Sequence, residues 1–392
     1  ILVAQLRSPN IGTEKLKERV RFLLRHEEGV NDLEKSVEDS VHRPVAFQMR
    51  TRSILPIMSA KIFRNVKPSV GSESVAVLRT SIDRRYQELA IEAVRNQLTE
   101  LARQNVNDAA VLVLNTRTGE PLVYVGNGGP GFSSAWQIDG VLQRRQMGST
   151  MKPFLYATAF EIGLLDPSTP LMDSPEEISV GQGQVYRPRN YDGTFRGAVS
   201  AGEALASSLN VPAVRTLMMT NEARVIERLR ALGFSALQYD EFYGPSLALG
   251  TVDASLWDLT EAFRRLSEFA DDKTFSLETK RKIFSSLAVP EYRRLSFGLG
   301  SLLELPFPAA VKTGTSKDMR DNWCVGYTSE YTVGVWVGNF TGAPMWNVSG
   351  MSGAAPTWRR LMLELHGHRT PVDQVIPFAK IGDVVTDNPG MA

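Results

Sequence analysis

Apolar residues recur at helical spacing early in the chain, at Leu16, Val20, Leu23 and Leu24 after a start near Thr13, behind an apolar opening and Pro9-Asn10. From about residue 30 to residue 80 the periodicity is poor, and prolines stand at 44, 56 and 68, the pattern of a partly extended connector. A new unit begins near Ser81, an N-cap candidate, with Ile82, Tyr86, Leu89, Ala93 and Leu101 on one helical side. Two β-rich runs follow, Ala109 to Leu114 and Pro121 to Val125, and Asn115-Thr116-Arg117-Thr118-Gly119 between them predicts a hairpin. Between Ser200 and about Phe269 the spacing predicts helices over 201–209, 214–219, 223–232 and 255–266, rich in alanine and leucine. Three late strands are expected at Ala309 to Thr313, Asn322 to Tyr327 and Tyr331 to Val337, then a closing helix from Ala354 to Leu365. The elements predict an α+β fold: an antiparallel sheet of about five strands flanked by helices, its first two and last three strands separated by a mostly helical subdomain. The expected division is the end of another domain over 1–29, a linker over 30–80, the main domain over 81–370 and a tail over 371–392.

Composition narrows the function classes only a little. The 392 residues suffice for one large domain or two, and 43% hydrophobic with 22% charged residues is ordinary for a globular protein. A net charge of +1 carries no global signal for nucleic acid or membrane attraction, and neither a Walker lysine loop nor a basic-aromatic array occurs, so no nucleic-acid partner is expected. Cys324 is the only cysteine, which excludes an intramolecular disulfide and a thiolate metal cluster. No stretch approaches the roughly 18 to 20 apolar residues of a transmembrane helix, and no signal peptide stands at Ile1. Gly126-Asn127-Gly128-Gly129-Pro130-Gly131 formally matches a dinucleotide fingerprint, but no amphipathic helix starts there and Pro130 interrupts the turn, so a flexible loop is expected.

The chemistry concentrates in Gly148-Ser149-Thr150-Met151-Lys152-Pro153-Phe154-Leu155-Tyr156. Residues three apart share a helix face, so the Lys152 amine is expected over the Ser149 hydroxyl, where a neutral lysine could take the serine proton. The Ser149 amide, at a helix N-terminus, is free to act as an oxyanion donor. This is the only Ser-x-x-Lys of the chain, and Phe154, Leu155, Ala157, Ala159 and Phe160 predict a buried helix, in which a lysine must be paired or neutral. By itself the pattern is common on solvated helices. Two further patterns follow: Ser208-Leu209-Asn210 at a helix end, and Lys312-Thr313-Gly314 at a strand end, about 60 and about 100 residues on.

Taken in that order, Ser-x-x-Lys, Ser-x-Asn and Lys-Thr-Gly resemble the signature of serine acyl-transfer enzymes acting on penicillin-like and D-alanyl substrates. Gly148 to Tyr156, Asn190-Tyr191-Asp192, Ala204 to Arg215, Tyr243 to Gly250 and Asp321 to Gly338 extend the likeness, and the chain over about 75–368 resembles the transpeptidase domain of class A penicillin-binding proteins. Ser349-Gly350-Met351-Ser352-Gly353-Ala354-Ala355-Pro356 is most similar to the 1C type of that family, and the opening Leu2 to Asn10 resembles the end of its glycosyltransferase domain, whose catalytic glutamates are absent.

The resemblance implies Ser149 as acylated nucleophile, Lys152 as its base, and Ser208 shuttling a proton with Lys312. It implies that Asn210 holds the substrate amide, that Thr313 and Thr315 bind the substrate carboxylate, and that the amides of Ser149 and Thr315 form the oxyanion hole. Beside it, the nearby Lys312 cation would favour a neutral Lys152, and Gly314 would leave room for a donor peptide at an edge strand. The implied partners are peptidoglycan stem peptides and β-lactams, covalent at Ser149, within a longer membrane-anchored protein on the outer side of the cytoplasmic membrane. No metal or other cofactor is required. A β-lactamase is disfavoured, because the Glu-x-x-x-Asn pattern of class A enzymes does not occur between Asn210 and Lys312. A D,D-carboxypeptidase and a slow penicillin-binding sensor or scaffold stay open. A serine-histidine triad is unsupported: there is no Gly-x-Ser-x-Gly elbow, and His26, His42, His366 and His368 lie far from Ser149 in sequence. His366 and His368 fit a polar helix end better than a metal site.

Overall fold

The computed structural model describes residues 80–179, 185–238 and 242–367. The expected remnant over 1–29, the linker up to residue 79 and the tail over 371–392 lie outside them, as do His26, His42 and His368. The first described helix, α1 (Arg84–Glu100), is capped by Asp83, whose side chain accepts from the Tyr86 N–H, and not by Ser81, whose hydroxyl donates to Pro121 O at 2.7 Å. The buried face of α1 only partly matches the one read off its apolar spacing: Ala93 and the C-cap Leu101 are buried and Tyr86 and Leu89 pack against the same cluster, but Gln87 and Gln97 are buried with Ala90, Val94 and Leu98. The reason is backbone satisfaction. Gln87 donates to Tyr124 O at 2.9 Å and accepts from Tyr124 N at 2.8 Å, doing for an edge strand what a further strand would do.

That edge strand, β2 (Pro121–Val125), pairs antiparallel with β1 (Asp108–Asn115) as the hairpin pattern predicts, and the Asn115 side chain accepts from the Arg117 and Thr118 amides in the turn. The chain then runs in turns through the glycine-rich loop, with no helix at residues 126–131, so no dinucleotide cradle forms there. Helix α2 (Lys152–Glu161) follows and is buried from Lys152 to Phe160, as a helix apolar all round must be. The helical subdomain contains α3 (Ala201–Ala206), α4 (Asn210–Thr220), α5 (Glu222–Ala231), α6 (Leu256–Leu266) and α7 (Leu277–Ala288). The last of these lies beyond the helices that the spacing predicts.

The late strands β3 (Ala310–Thr315), β4 (Asp321–Tyr327) and β5 (Tyr331–Gly338) join the hairpin in one five-stranded antiparallel sheet of order β2-β1-β5-β4-β3, and α8 (Ala355–His366) closes the fold. Strand β1 shows how the core is shared. Ala110, Leu112 and Leu114 enter a cluster with α2 and the helical subdomain, whereas Ala109, Val111 and Val113 enter a second cluster with α1 and α8. Side chains alternate across a strand, so a sheet covered on both faces spells a continuous apolar run. Strand β3 stands at one edge of this sheet, with the residues just before α2 against it.

Candidate active site

Ser149 lies on a 3₁₀ turn, Gly148–Met151, that runs into α2 at Lys152, and the Lys152 N–H donates to Ser149 O. Residues three apart eclipse on such a turn, and Pro153 suits the helix opening because its missing N–H would have no partner there. Ser149 is half-buried, whereas Lys152 is fully enclosed. Two backbone bonds and one indole clamp the turn: Gly148 N donates to Gly250 O at 3.0 Å, Met147 N to Val252 O at 3.0 Å, and the Trp323 side chain, through Nε1, to Gln146 O at 2.9 Å. Gly148 has φ +54°, and a Cβ there would stand 2.6 Å from Thr315 O, so the turn is packed directly against the end of β3.

The lysine departs from the expected contact with the serine. Lys152 Nζ donates at 2.6 Å to Ser208 O and at 2.6 Å to Asn210 Oδ1, with Ser208 Oγ at 3.4 Å. Burial pushes the Lys152 amine well below the usual lysine range, and the charge of Lys312 adds to the shift. A neutral amine has two N–H donors; two carbonyl oxygens occupy them here, which leaves the nitrogen lone pair to accept a hydroxyl proton. Ser208 adopts φ +60°, a left-handed conformation that costs a non-glycine residue energy and is held where the surroundings over-determine it. Asn210 is equally constrained: its N–H donates to Asn190 Oδ1 at 2.8 Å and its Nδ2 to Arg189 O at 2.8 Å.

Lys312, on β3, is buried at 1% exposure, donates to Thr313 O at 3.0 Å, and is driven by burial down to about 7. Gly314 has a structural reason beyond room for a peptide. Its Cβ would meet Met147 O at 2.8 Å and Thr150 Cγ2 at 2.9 Å, so the glycine admits the turn that carries Ser149. By strand alternation Lys312 and Gly314 face that turn, and Thr313 and Thr315 take the opposite pleat, where Thr315 Oγ1 accepts the Gly350 N–H at 3.0 Å. The structure thus brings Ser149, Lys152, Ser208, Asn210, Lys312 and Gly314 around one site, with Thr313 and Thr315 on its edge strand.

Sequence reasoning missed several supports. Asp173 and Asn190, buried behind Asn210, carry no spacing that links them, and Asn190 figured only as part of a family-like run. The glycines at 148, 250 and 350 are likewise explained only by close backbone approach. His366 stacks on Phe307, contacts Thr328 Oγ1 at 3.0 Å through Nε2 and Met362 O at 2.9 Å through Nδ1, and so serves packing; no cluster that could hold a metal occurs among the described residues.

The family model for the penicillin binding protein transpeptidase domain matches residues 109–245, which hold Ser149, Lys152, Ser208 and Asn210. Penicillin-binding protein 1C of Escherichia coli is 33% identical over 231 residues, 56% of this chain and 29% of the relative. Over these residues the chain is similar to the transpeptidase domain of class A penicillin-binding proteins. Penicillin-binding protein 1B of Vibrio cholerae is 27% identical over 353 residues, 82% of this chain and 43% of the relative. The fold is that of the PonA1 protein from Mycobacterium tuberculosis in complex with penicillin V, with TM-score 0.63, 21% identity, 78% of this chain and 90% of that chain covered. The chain spans less than half the length of both curated penicillin-binding proteins. No helix among the described residues is long and apolar enough to cross a membrane.

Proposed function

We propose that this chain is the D,D-transpeptidase part of a cell-wall synthase, cross-linking D-alanyl stem peptides through an acyl-Ser149 intermediate that β-lactams form and do not release. The observation that carries the reading is the buried Lys152 amine, one turn from Ser149, with both N–H donors committed to Ser208 O and Asn210 Oδ1 at 2.6 Å. Ser149 Oγ gives its proton to Lys152 Nζ and attacks the carbonyl carbon of the penultimate D-alanine. The amides of Ser149 and Thr315 receive the oxyanion, each donor contributing about 3 to 4 kcal/mol to the transition state. The peptide C–N bond then breaks, and the leaving D-alanine nitrogen takes its proton through Ser208, which shuttles it with Lys312. An acceptor amine attacks the acyl-serine and releases Ser149. The second N–H of Asn210 Nδ2, beyond the one given to Arg189 O, is the donor available for a substrate carbonyl. Thr313 and Thr315 bind the terminal carboxylate, and the free edge of β3 pairs with the extended donor peptide. Placement on the outer face of the cytoplasmic membrane, within a longer anchored protein carrying a glycosyltransferase domain, belongs to the same reading.

Intact-mass spectrometry after incubation with benzylpenicillin tests it. A stable adduct mapping to Ser149 and absent from Ser149→Ala is expected. An adduct on another residue overturns the assignment, and drug consumed without an adduct makes the chain a β-lactamase instead.

A further inference from the structure

Behind Asn210 lies a polar pair that the acyl-transfer chemistry does not itself use. Asp173, at the end of a short strand (Pro170–Asp173), is 0% exposed, and Asn190 is 6% exposed. Asn190 Nδ2 donates to both Asp173 oxygens, at 3.0 and 2.8 Å, and to Thr194 O at 2.8 Å, so the flip state of its amide is fixed by a carboxylate that can only accept. That orientation turns Asn190 Oδ1 outward, where it accepts the Asn210 N–H at 2.8 Å. The residue before it, Arg189, accepts Asn210 Nδ2 through its carbonyl at 2.8 Å. Asn210 Oδ1 is the remaining group, and it accepts Lys152 Nζ at 2.6 Å. The run from Asp173 to Asn190 to Asn210 to Lys152 is thus a continuous chain of hydrogen bonds with each donor and acceptor assigned. Asn210 opens α4, and the first amides of a helix have no intrahelical partner, so its N–H needs an acceptor from outside. Asn210 is preceded by Leu209, which has no side-chain oxygen to cap the helix, and Asn190 supplies the missing acceptor from a distant loop.

We infer that Asp173 and Asn190 are positioning residues for acylation: the carboxylate locks the Asn190 amide, and Asn190 holds Asn210 in the place from which it orients Lys152. The inference rests on the acyl-serine reading above and adds to it two residues remote from the reacting atoms. It also explains why Arg189 and Tyr191 are exposed while Pro188 and Asn190 are buried: the loop is pinned at alternate residues.

The test is the rate of Ser149 acylation by benzylpenicillin, followed across pH in wild type, Asn190→Asp, Asp173→Asn and the double variant. Asn190→Asp keeps the oxygen that accepts the Asn210 N–H but sets two carboxylates against each other. Asp173→Asn alone leaves two amides facing each other, and the double variant restores one carboxylate and one amide. Each single variant is expected to slow acylation by about tenfold to a hundredfold, the scale of an ångström's misplacement of a catalytic group, and the double variant to recover at least part of that loss. The negative charge that position 190 then shares with Asp173 also favours the Lys152 cation, so the acid limb of the profile is expected at higher pH in Asn190→Asp, with Lys312 the other ionisable neighbour. Single variants that acylate at the wild-type rate, or a double variant equal to the product of the singles, overturn the inference. So does an unchanged profile in variants that lose only thermal stability. If the variants do not fold, amide exchange in the wild type decides: protection of the Asn210 N–H is expected, and fast exchange overturns the clamp. A wild type that is not labelled at Ser149 instead refutes the acyl-serine reading itself.

Discussion

Replacing Gly314 by alanine separates the two reasons for a glycine at that position. The new Cβ lies 2.8 Å from Met147 O, 2.9 Å from Thr150 Cγ2 and 3.1 Å from Thr150 N. Ordinary contact begins at 3.4 Å, so strand or turn must give by about 0.6 Å. The neighbours cannot swing aside: Met147 O is backbone and accepts the Thr150 hydroxyl at 2.7 Å, and Thr150 is β-branched and fully buried. Overpacking of this kind costs about 1 to 3 kcal/mol of stability. The displaced element carries Ser149, and a shift of that size slows acylation by roughly tenfold or more, given that a full ångström can cost about a hundredfold. Labelling kinetics with a fluorescent penicillin, paired with urea unfolding, measure both losses. Gly131→Ala is the control, because nothing stands within 4 Å of a Cβ there, and it should change neither. If Gly314→Ala acylates and unfolds like the wild type, close approach of the turn to β3 does not position the nucleophile.

Other outcomes follow from the same geometry. Ser208→Gly relieves a left-handed backbone at φ +60° and should gain about 1 kcal/mol of stability while slowing acylation, both readable on one preparation; a loss of stability would contradict the strain argument. Lys312 is held at about 7 in the folded chain against 10.5 ordinarily, so between those values the unfolded chain binds more protons, and stability should rise with pH through that window. Lys312→Met should flatten the rise between pH 7 and 9 in urea unfolding, and an unaltered slope would show that the lysine is not the titrating group. Cys324 is fully buried with its thiol pushed well above the usual range by burial, so it should resist a thiol reagent in the native protein and react on unfolding.

Much of the candidate site is legible in the chain because it is local. Ser149 and Lys152 sit on one turn, Ser208 and Asn210 on one helix junction, and Lys312 to Thr315 on one strand. Spacing alone puts such residues side by side, and the alternation and β-branching of the late strands announce the sheet in the same way. What spacing cannot express is which group satisfies which. Lys152 stands three residues from Ser149, yet its hydrogen bonds run to Ser208 and Asn210, because carbonyl oxygens at the junction leading into α4 compete for a buried amine. Gln87 and Gln97 look like solvent-facing positions of α1 and are buried, since a neighbouring strand edge and Ser352 O present backbone groups that need partners. Asp173, Asn190 and Gly350 carry no local sign of their roles. Secondary structure and the reactive side chains are written in short-range pattern, whereas the pairing of buried polar groups and the steric need for glycine arise only when distant segments meet, and there tertiary structure decides.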